Sequence, residues 1–352
     1  MNLSFEIPTS NRLEGLDQLR GIAILCVLLS HFSIAINNNL IEIQNRTINV
    51  GTIGVLIFFC VSGYVIPWSM RTKEGITSVH GFWVRRIFRL YPIYLISAFL
   101  GIFAFGDGII IADIKEQILQ DPIGYFLAFF SMTSHLTGWK TIFQGLEWTL
   151  AYEMVFYCAC TIFLVLRKWL PTLYSLVSIV VVVCIAVLLP DILVKTNTIQ
   201  KFFFFYLFFL VGLVLYLYKC GFIDSALFKA LSTTLVITMC ARSYLWYSYW
   251  GINYLTLAFI PAVFCFYSIL LGKILIKSRS LVLVGIVSYS IYLTHIFIPH
   301  NIPLNTLPPL FRFTGWLIIS VLFASFSYKI IEYPAIVEGR KLAKFILYKV
   351  TN

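Results

Sequence analysis

Residues 51–69 read GTIGVLIFFCVSGYVIPWS, nineteen consecutive positions without one charged side chain. At about 1.5 Å rise per residue, a helix over this stretch is about 28 Å long, the thickness of a bilayer's hydrocarbon core. The rest of the chain repeats the signal. Of its 352 residues, 60% are hydrophobic, 17% aromatic and 12% charged, with a mean hydropathy of +0.90. Soluble domains carry about 25% charged residues, so too little polar surface is left here to coat a water-soluble globule, and the soluble, disordered and disulfide-stapled secreted classes are excluded. Further apolar runs fall at 20–36, 88–106, 146–166, 172–190, 201–218, 226–246, 252–271, 281–298 and 313–333. An all-α polytopic membrane protein follows, one domain over 1–352, with its core at 16–334 and a short cytoplasmic tail at 335–352.

One apolar run, 122–135, is too short to cross by itself. Basic residues decide its role, because Lys and Arg accumulate in cytoplasmic loops. With ten crossings and both termini cytoplasmic, 19 of the 26 Lys and Arg fall inside and seven outside; counting 122–135 as an eleventh crossing turns this into 12 against 14. Ten transmembrane helices are therefore expected, with 122–135 re-entrant or interfacial on the outer side. The formal net charge of +11 reports orientation, and no nucleic-acid partner is expected. Ser33-Ile34-Ala35 imitates a signal-cleavage site, but a chain with nine later spans equally needs an uncleaved first anchor. The eight cysteines lie in or beside apolar runs and read as small core hydrophobes; no spacing of metal ligands is present.

Ionisable groups within a bilayer are costly and mark function by default. Arg20 and His31 lie eleven residues apart, which places them on one helix face about 16 Å apart, Arg20 at the cytoplasmic mouth and His31 near mid-membrane. Arg20 also reads as a topology anchor and His31 as a core histidine. In span two, the small pair Ser62 and Gly63 permits either close helix contact or room for a ligand. Arg85, Arg86 and Arg89 at the next helix mouth exceed what topology requires, and guanidinium forks match phosphate oxygens. Glu153 lies about two turns into span four, where it either orients a histidine, receives a sugar hydroxyl or ties helices together. His295 ends the string Ser288-Tyr289-Ser290-Ile291-Tyr292-Leu293-Thr294-His295. Glu332 is read as lying in cytoplasmic water. The outer connection 107–145, rich in acids and aromatics, is the one long loop. No Walker loop, dinucleotide fingerprint, zinc helix or nucleophile elbow stands at a plausible place.

In this order the strings resemble the acyltransferase-3 family of integral membrane O-acyltransferases, from Leu16 to Pro334. Arginine followed eleven residues later by histidine matches Arg20 and His31; FF-x-x-SG matches Phe58 to Gly63; RR-x-x-R-x-x-P matches Arg85 to Pro92. W-[ST]-L-x-x-E-x-x-FY matches Trp148 to Tyr157, SY-x-x-YL-x-H matches Ser288 to His295, and E-x-P matches Glu332 to Pro334. Leu56 departs, standing where many members carry a polar residue. No appended extracytoplasmic domain of the kind some members carry is expected.

The resemblance implies an enzyme, an acyltransferase for groups other than amino-acyl groups. It would move acetyl from cytoplasmic acetyl-CoA to a hydroxyl of a cell-envelope glycan such as O-antigen, capsule or exopolysaccharide, in the inner membrane of a bacterium. Acetyl-CoA is the acyl donor, and no metal is called for. On this reading Arg85, Arg86 and Arg89, with Ser62, hold the donor, and His31 meets the thioester as general base or transient acyl carrier. Arg20 positions the donor or stabilises developing charge. Glu153 and loop 107–145 serve the acceptor side, and Trp148, Tyr152 and His295 bind substrate. The other reading is a polytopic transporter or flippase for an envelope glycan-lipid, against which stands the missing repeat symmetry.

Overall fold

The computed structural model describes residues 11–33, 36, 49–72, 75–76, 78–105, 108–143, 146–166, 180, 183–185, 187–188, 197–250 and 254–351. Expected span 172–190 lies largely outside them. The chain folds as α1 (Asn11–Phe32), α2 (Val50–Ser69), a two-residue-per-strand hairpin at 71–76, and α3 (Val79–Phe105). The outer connection forms three short helices, α4 (Ile109–Gln120), α5 (Pro122–Phe130) and α6 (Ser134–Thr137). Then come α7 (Trp148–Leu166), α8 (Asn197–Lys219), α9 (Ser225–Trp250) and α10 (Tyr254–Leu270). Expected span 281–298 is three pieces, α11 (Arg279–Ile286), α12 (Ser288–Thr294) and α13 (Phe297–Asn301). Finally α14 (Pro309–Ser327) runs through a π turn (Tyr328–Glu332) into α15 (Tyr333–Thr351).

Among the described residues, five helices are long and apolar enough to cross a membrane: Glu14–Phe32, Val50–Ser69, Val79–Phe105, Trp148–Val165 and Pro309–Ile346. Phe203–Lys219 and Ala258–Leu270 are shorter apolar helices. Large apolar side chains point outward along these rods, Phe103 at 69% exposure and Phe326 at 65%. In water that surface would aggregate; against lipid it is the matching face.

Without a hydrophobic force between helices in lipid, small residues hold them together by letting backbones approach. Gly63 of α2 and Gly212 of α8 do this reciprocally: a Cβ at Gly63 would strike the Phe209 carbonyl oxygen, and one at Gly212 the Cys60 carbonyl oxygen. Gly21 and Gly285 likewise press α1 against α11, onto the carbonyls of Leu281 and Asp17.

The run 122–135 is broken by Met132, whose φ is +58°, so that α5 has only nine residues. Such a helix is about 13 Å long and cannot cross. The hydroxyls of Tyr94 and Tyr91 in α3 pin it by donating to the Phe129 carbonyl (3.2 Å) and the Phe130 carbonyl. His31 lies in the last turn of α1, at the far end of the helix from Asp17. Residues 335–351 are helix, and Gly339 lets α15 press against Phe88 of α3.

Candidate active site

The crossings just described leave a cavity of ≈ 90 Å³ between α1, α2, α3, α7 and α12. Arg20 reaches it from α1, Ser62 and Phe58 from α2, Arg86 and Arg89 from α3, Glu153 and Thr149 from α7, and Tyr289 and Tyr292 from α12. The pair Ser62-Gly63 thus does both things its size allows: Gly63 makes the helix contact and Ser62 faces the cavity.

Charge inside this cavity is paired. The Arg20 Nη1 donates to Asp17 Oδ1 at 3.0 Å, with both side chains mostly buried. Glu153 Oε1 accepts from the Tyr157 hydroxyl at 2.5 Å and from Ser62 Oγ at 3.4 Å, while its charge faces Arg20 and Arg89. Arg89 is faced in addition by Glu332 and Asp17. Glu332 is 2% exposed and accepts from Ser290 Oγ at 2.8 Å. This corrects its reading as a residue in cytoplasmic water. The π turn and the continuing helix behind it carry the carboxylate inward, a common use of such turns.

The three arginines of the run 85–89 are not equivalent. Arg86 is 6% exposed, with its guanidinium carbon 5.4 Å from the Phe82 ring centre and 5.3 Å from that of Tyr157. Its Nη2 donates to Ser69 Oγ, and its Nε has no partner among the described residues. Arg89 stands in the cavity wall. Arg85 does not line the cavity; it donates to the Ser69 carbonyl at 3.2 Å, and the cation facing it from α15 is Arg340. Two facing cations are a ready partner for an anion.

Tyr292 is one of the cavity's lining residues. Its hydroxyl accepts from Thr149 Oγ1 at 2.9 Å and donates to the Leu146 carbonyl at 3.1 Å. Beyond it lies His295, ring centre 6.0 Å from that of Tyr292, and then His31, 4.9 Å from His295 with the planes at 78°. His31 is exposed whereas His295 is 0% exposed. The Nδ1 of His295 is 2.8 Å from the Tyr292 carbonyl and 3.2 Å from that of Ile291. Carbonyls only accept, so Nδ1 carries the hydrogen and Nε2 is a bare acceptor; Nε2 has no partner among the described residues.

The structure therefore brings Arg20, Arg86, Arg89, Ser62 and Glu153 around one cavity and sets His295 and His31 in succession beyond Tyr292. Trp148 and Tyr152, expected to bind substrate, do not line it. They pack with Phe59 and Phe205, Trp148 5.0 Å from Phe205 and 5.6 Å from Tyr152. His295, also expected to meet substrate, is enclosed by Phe32, Tyr292 and His31. Asp17 and Arg340 were not singled out by the sequence, and Tyr157 and Glu332 were named there without a role in the site; the three-residue step from Asp17 to Arg20 was the readable sign of a helical ion pair. No cluster of three metal-ligating side chains occurs among the described residues.

A family profile described as an acyltransferase domain matches residues 13–332, which takes in every one of these groups except Arg340. The chain belongs to the acyltransferase-3 family. It is 33% identical over 117 residues to Acyltransferase MdmB of Streptomyces mycarofaciens, a stretch that is 32% of this chain and 27% of that one. It is 30% identical over 175 residues to the Bacillus subtilis protein named "Putative peptidoglycan O-acetyltransferase YrhL", covering 45% of this chain and 24% of that one. The chain thus spans about a quarter of the length of these curated relatives. No solved structure matches this acyltransferase-3 chain significantly.

Proposed function

We propose that this acyltransferase-3 protein is a membrane O-acetyltransferase that moves acetyl from cytoplasmic acetyl-CoA to a hydroxyl of a cell-envelope glycan. It would cross the inner membrane of a bacterium ten times, with both termini cytoplasmic. One observation carries the reading: a cavity lined by three guanidinium groups has Tyr292 in its wall, and two imidazoles follow in ring contact behind it.

A cavity of ≈ 90 Å³ admits a small acyl thioester and excludes a nucleotide. Coenzyme A phosphates cannot enter hydrocarbon, so they stay outside, where Arg85 and Arg340 face each other. Arg89 and Arg20 then lie along the path of the thioester arm. His31 sits about 16 Å from Arg20 along α1 and acts as general base. It takes the proton of the acceptor hydroxyl as oxygen attacks the thioester carbon, the C–O bond forms and the C–S bond breaks. The leaving thiolate takes that proton back from the imidazolium. Arg20, tethered to Asp17 at the far end of α1 from His31, positions the donor arm. Glu153, held by Tyr157 and Ser62, faces these arginines and so serves the donor side. The acceptor enters beneath the folded outer connection, α4 to α6.

The test is a mass-spectrometric comparison of envelope glycan esters in cells with the native protein, with none, and with His31→Ala. Loss of one ester in the last two supports the reading. An unchanged ester profile, or glycan-lipid translocation without ester formation, overturns it.

A further inference from the structure

His295 is the group the proposed mechanism does not use, and it is the more constrained of the two histidines. Phe32 and Tyr292 hold its ring at 6.2 and 6.0 Å, and the carbonyls of Tyr292 and Ile291 fix its hydrogen on Nδ1. An acceptor nitrogen, fully buried and without a partner among the described residues, then remains beside an exposed imidazole 4.9 Å away. The two rings meet edge to face, with their planes at 78°. His31 is the only titratable side chain facing His295 from any element packed against it among the described residues.

From this geometry we infer that His295 is a positioning residue: its Nε2 accepts the hydrogen of one His31 ring nitrogen, which fixes the His31 tautomer and leaves the other nitrogen bare toward the reacting hydroxyl. The inference rests on the proposed role of His31 as base. Neutral imidazole carries one hydrogen and has two places for it, and only the tautomer with the bare nitrogen facing the hydroxyl is competent. A buried acceptor of fixed orientation selects that tautomer. In a serine hydrolase a carboxylate does the same task. A neutral acceptor does it here without burying another charge. No proton passes to His295. The hydroxyl proton rests on His31 until the thiolate takes it, and His295 keeps its own hydrogen on Nδ1 throughout.

Two substitutions separate this role from packing. The amide oxygen of His295→Gln reaches to about the position of Nε2, whereas that of His295→Asn stops near Nδ1. Each variant, the native protein and His31→Ala are purified in lipid nanodiscs and assayed by coenzyme A release from acetyl-CoA in the presence of isolated envelope glycan. Imidazole ¹⁵N shifts of His31 are recorded in parallel. In His295→Asn, kcat is expected to fall about 100-fold, with KM for acetyl-CoA within about twofold of native and with His31 shifts moving toward a tautomer mixture. His295→Gln recovers most of kcat, and His31→Ala/His295→Asn is no slower than His31→Ala alone. Equal losses in Asn and Gln, a native kcat in Asn, or unchanged His31 shifts would overturn the inference. Turnover that survives His31→Ala overturns the proposed function instead, and the ¹⁵N shifts still decide whether His295 sets the tautomer.

Discussion

Arg86 lies between the Phe82 and Tyr157 rings and bonds Ser69, whereas Arg89, three residues on, lines the cavity and faces Glu332, Glu153 and Asp17. The first arrangement spends the guanidinium on packing and the second leaves it available to a ligand. Arg86→Ala removes two cation–π contacts and a buried hydrogen bond and is expected to cost about 2–3 kcal/mol of stability, read as a fall in Tm in detergent. Arg89→Ala would strand the buried Glu332, so the role of Arg89 is read from Arg89→Lys, which keeps the charge and is expected to hold Tm within a few degrees and to raise KM for acetyl-CoA at least about tenfold. The reverse pattern would assign the roles the other way round. Glu332 belongs to the same network, as the buried carboxylate that both Ser290 and Arg89 require. Glu332→Ala strands both partners in a dry site and is expected to cost about 2–4 kcal/mol. Glu332→Gln keeps the Ser290 bond and is expected to lose less than half of that.

At the scale of helices, the contact of α2 with α8 decides whether a cavity exists. Gly63→Val drives a branched side chain into the Phe209 carbonyl. It is expected to abolish folded protein in a fluorescence-detected size-exclusion run, whereas Ser62→Ala, one residue away, elutes as native. The same scale shows where sequence sufficed. Span 51–69 was legible because nothing in it opposes the lipid, and its helix runs from Val50 to Ser69. The start of α1 was not legible, because Glu14, Asp17 and Arg20 interrupt hydropathy although the helix continues back to Asn11. Span 281–298 hid its breaks for the opposite reason, being apolar throughout while its hydroxyls bond locally. Thr294 Oγ1 donates to the Ser290 carbonyl at 2.7 Å, a habit that bends helices. The arginines and His31 were legible as polar groups in an apolar chain. That Trp148 and Tyr152 pack against Phe59 and Phe205, and that Glu332 turns inward, depends on neighbours distant in sequence or on a π turn, and no local pattern carries either.

For the molecule as a whole, orientation follows from charge. On the proposed topology, which the 19-to-seven division of basic residues supports, the mouth with Arg85 and Arg340 is cytoplasmic and α4 to α6 lie outside. This is the one orientation in which a cytoplasmic donor meets the arginines before it meets His31. Glu116 in α4 and Lys341 in α15 are both exposed and report the two faces. A membrane-impermeant maleimide is expected to label Glu116→Cys in intact spheroplasts and Lys341→Cys only after lysis, each read against labelling of the native cysteines. Labelling of both variants before lysis would put the arginine mouth outside and leave the donor no route to it. Labelling of neither before lysis would bring the outer connection into the cytoplasm, which requires an even number of crossings between α4 and α15 instead of the proposed odd number. The expected pattern leaves one direction for the acyl group, inward past Arg89 and outward past the two imidazoles.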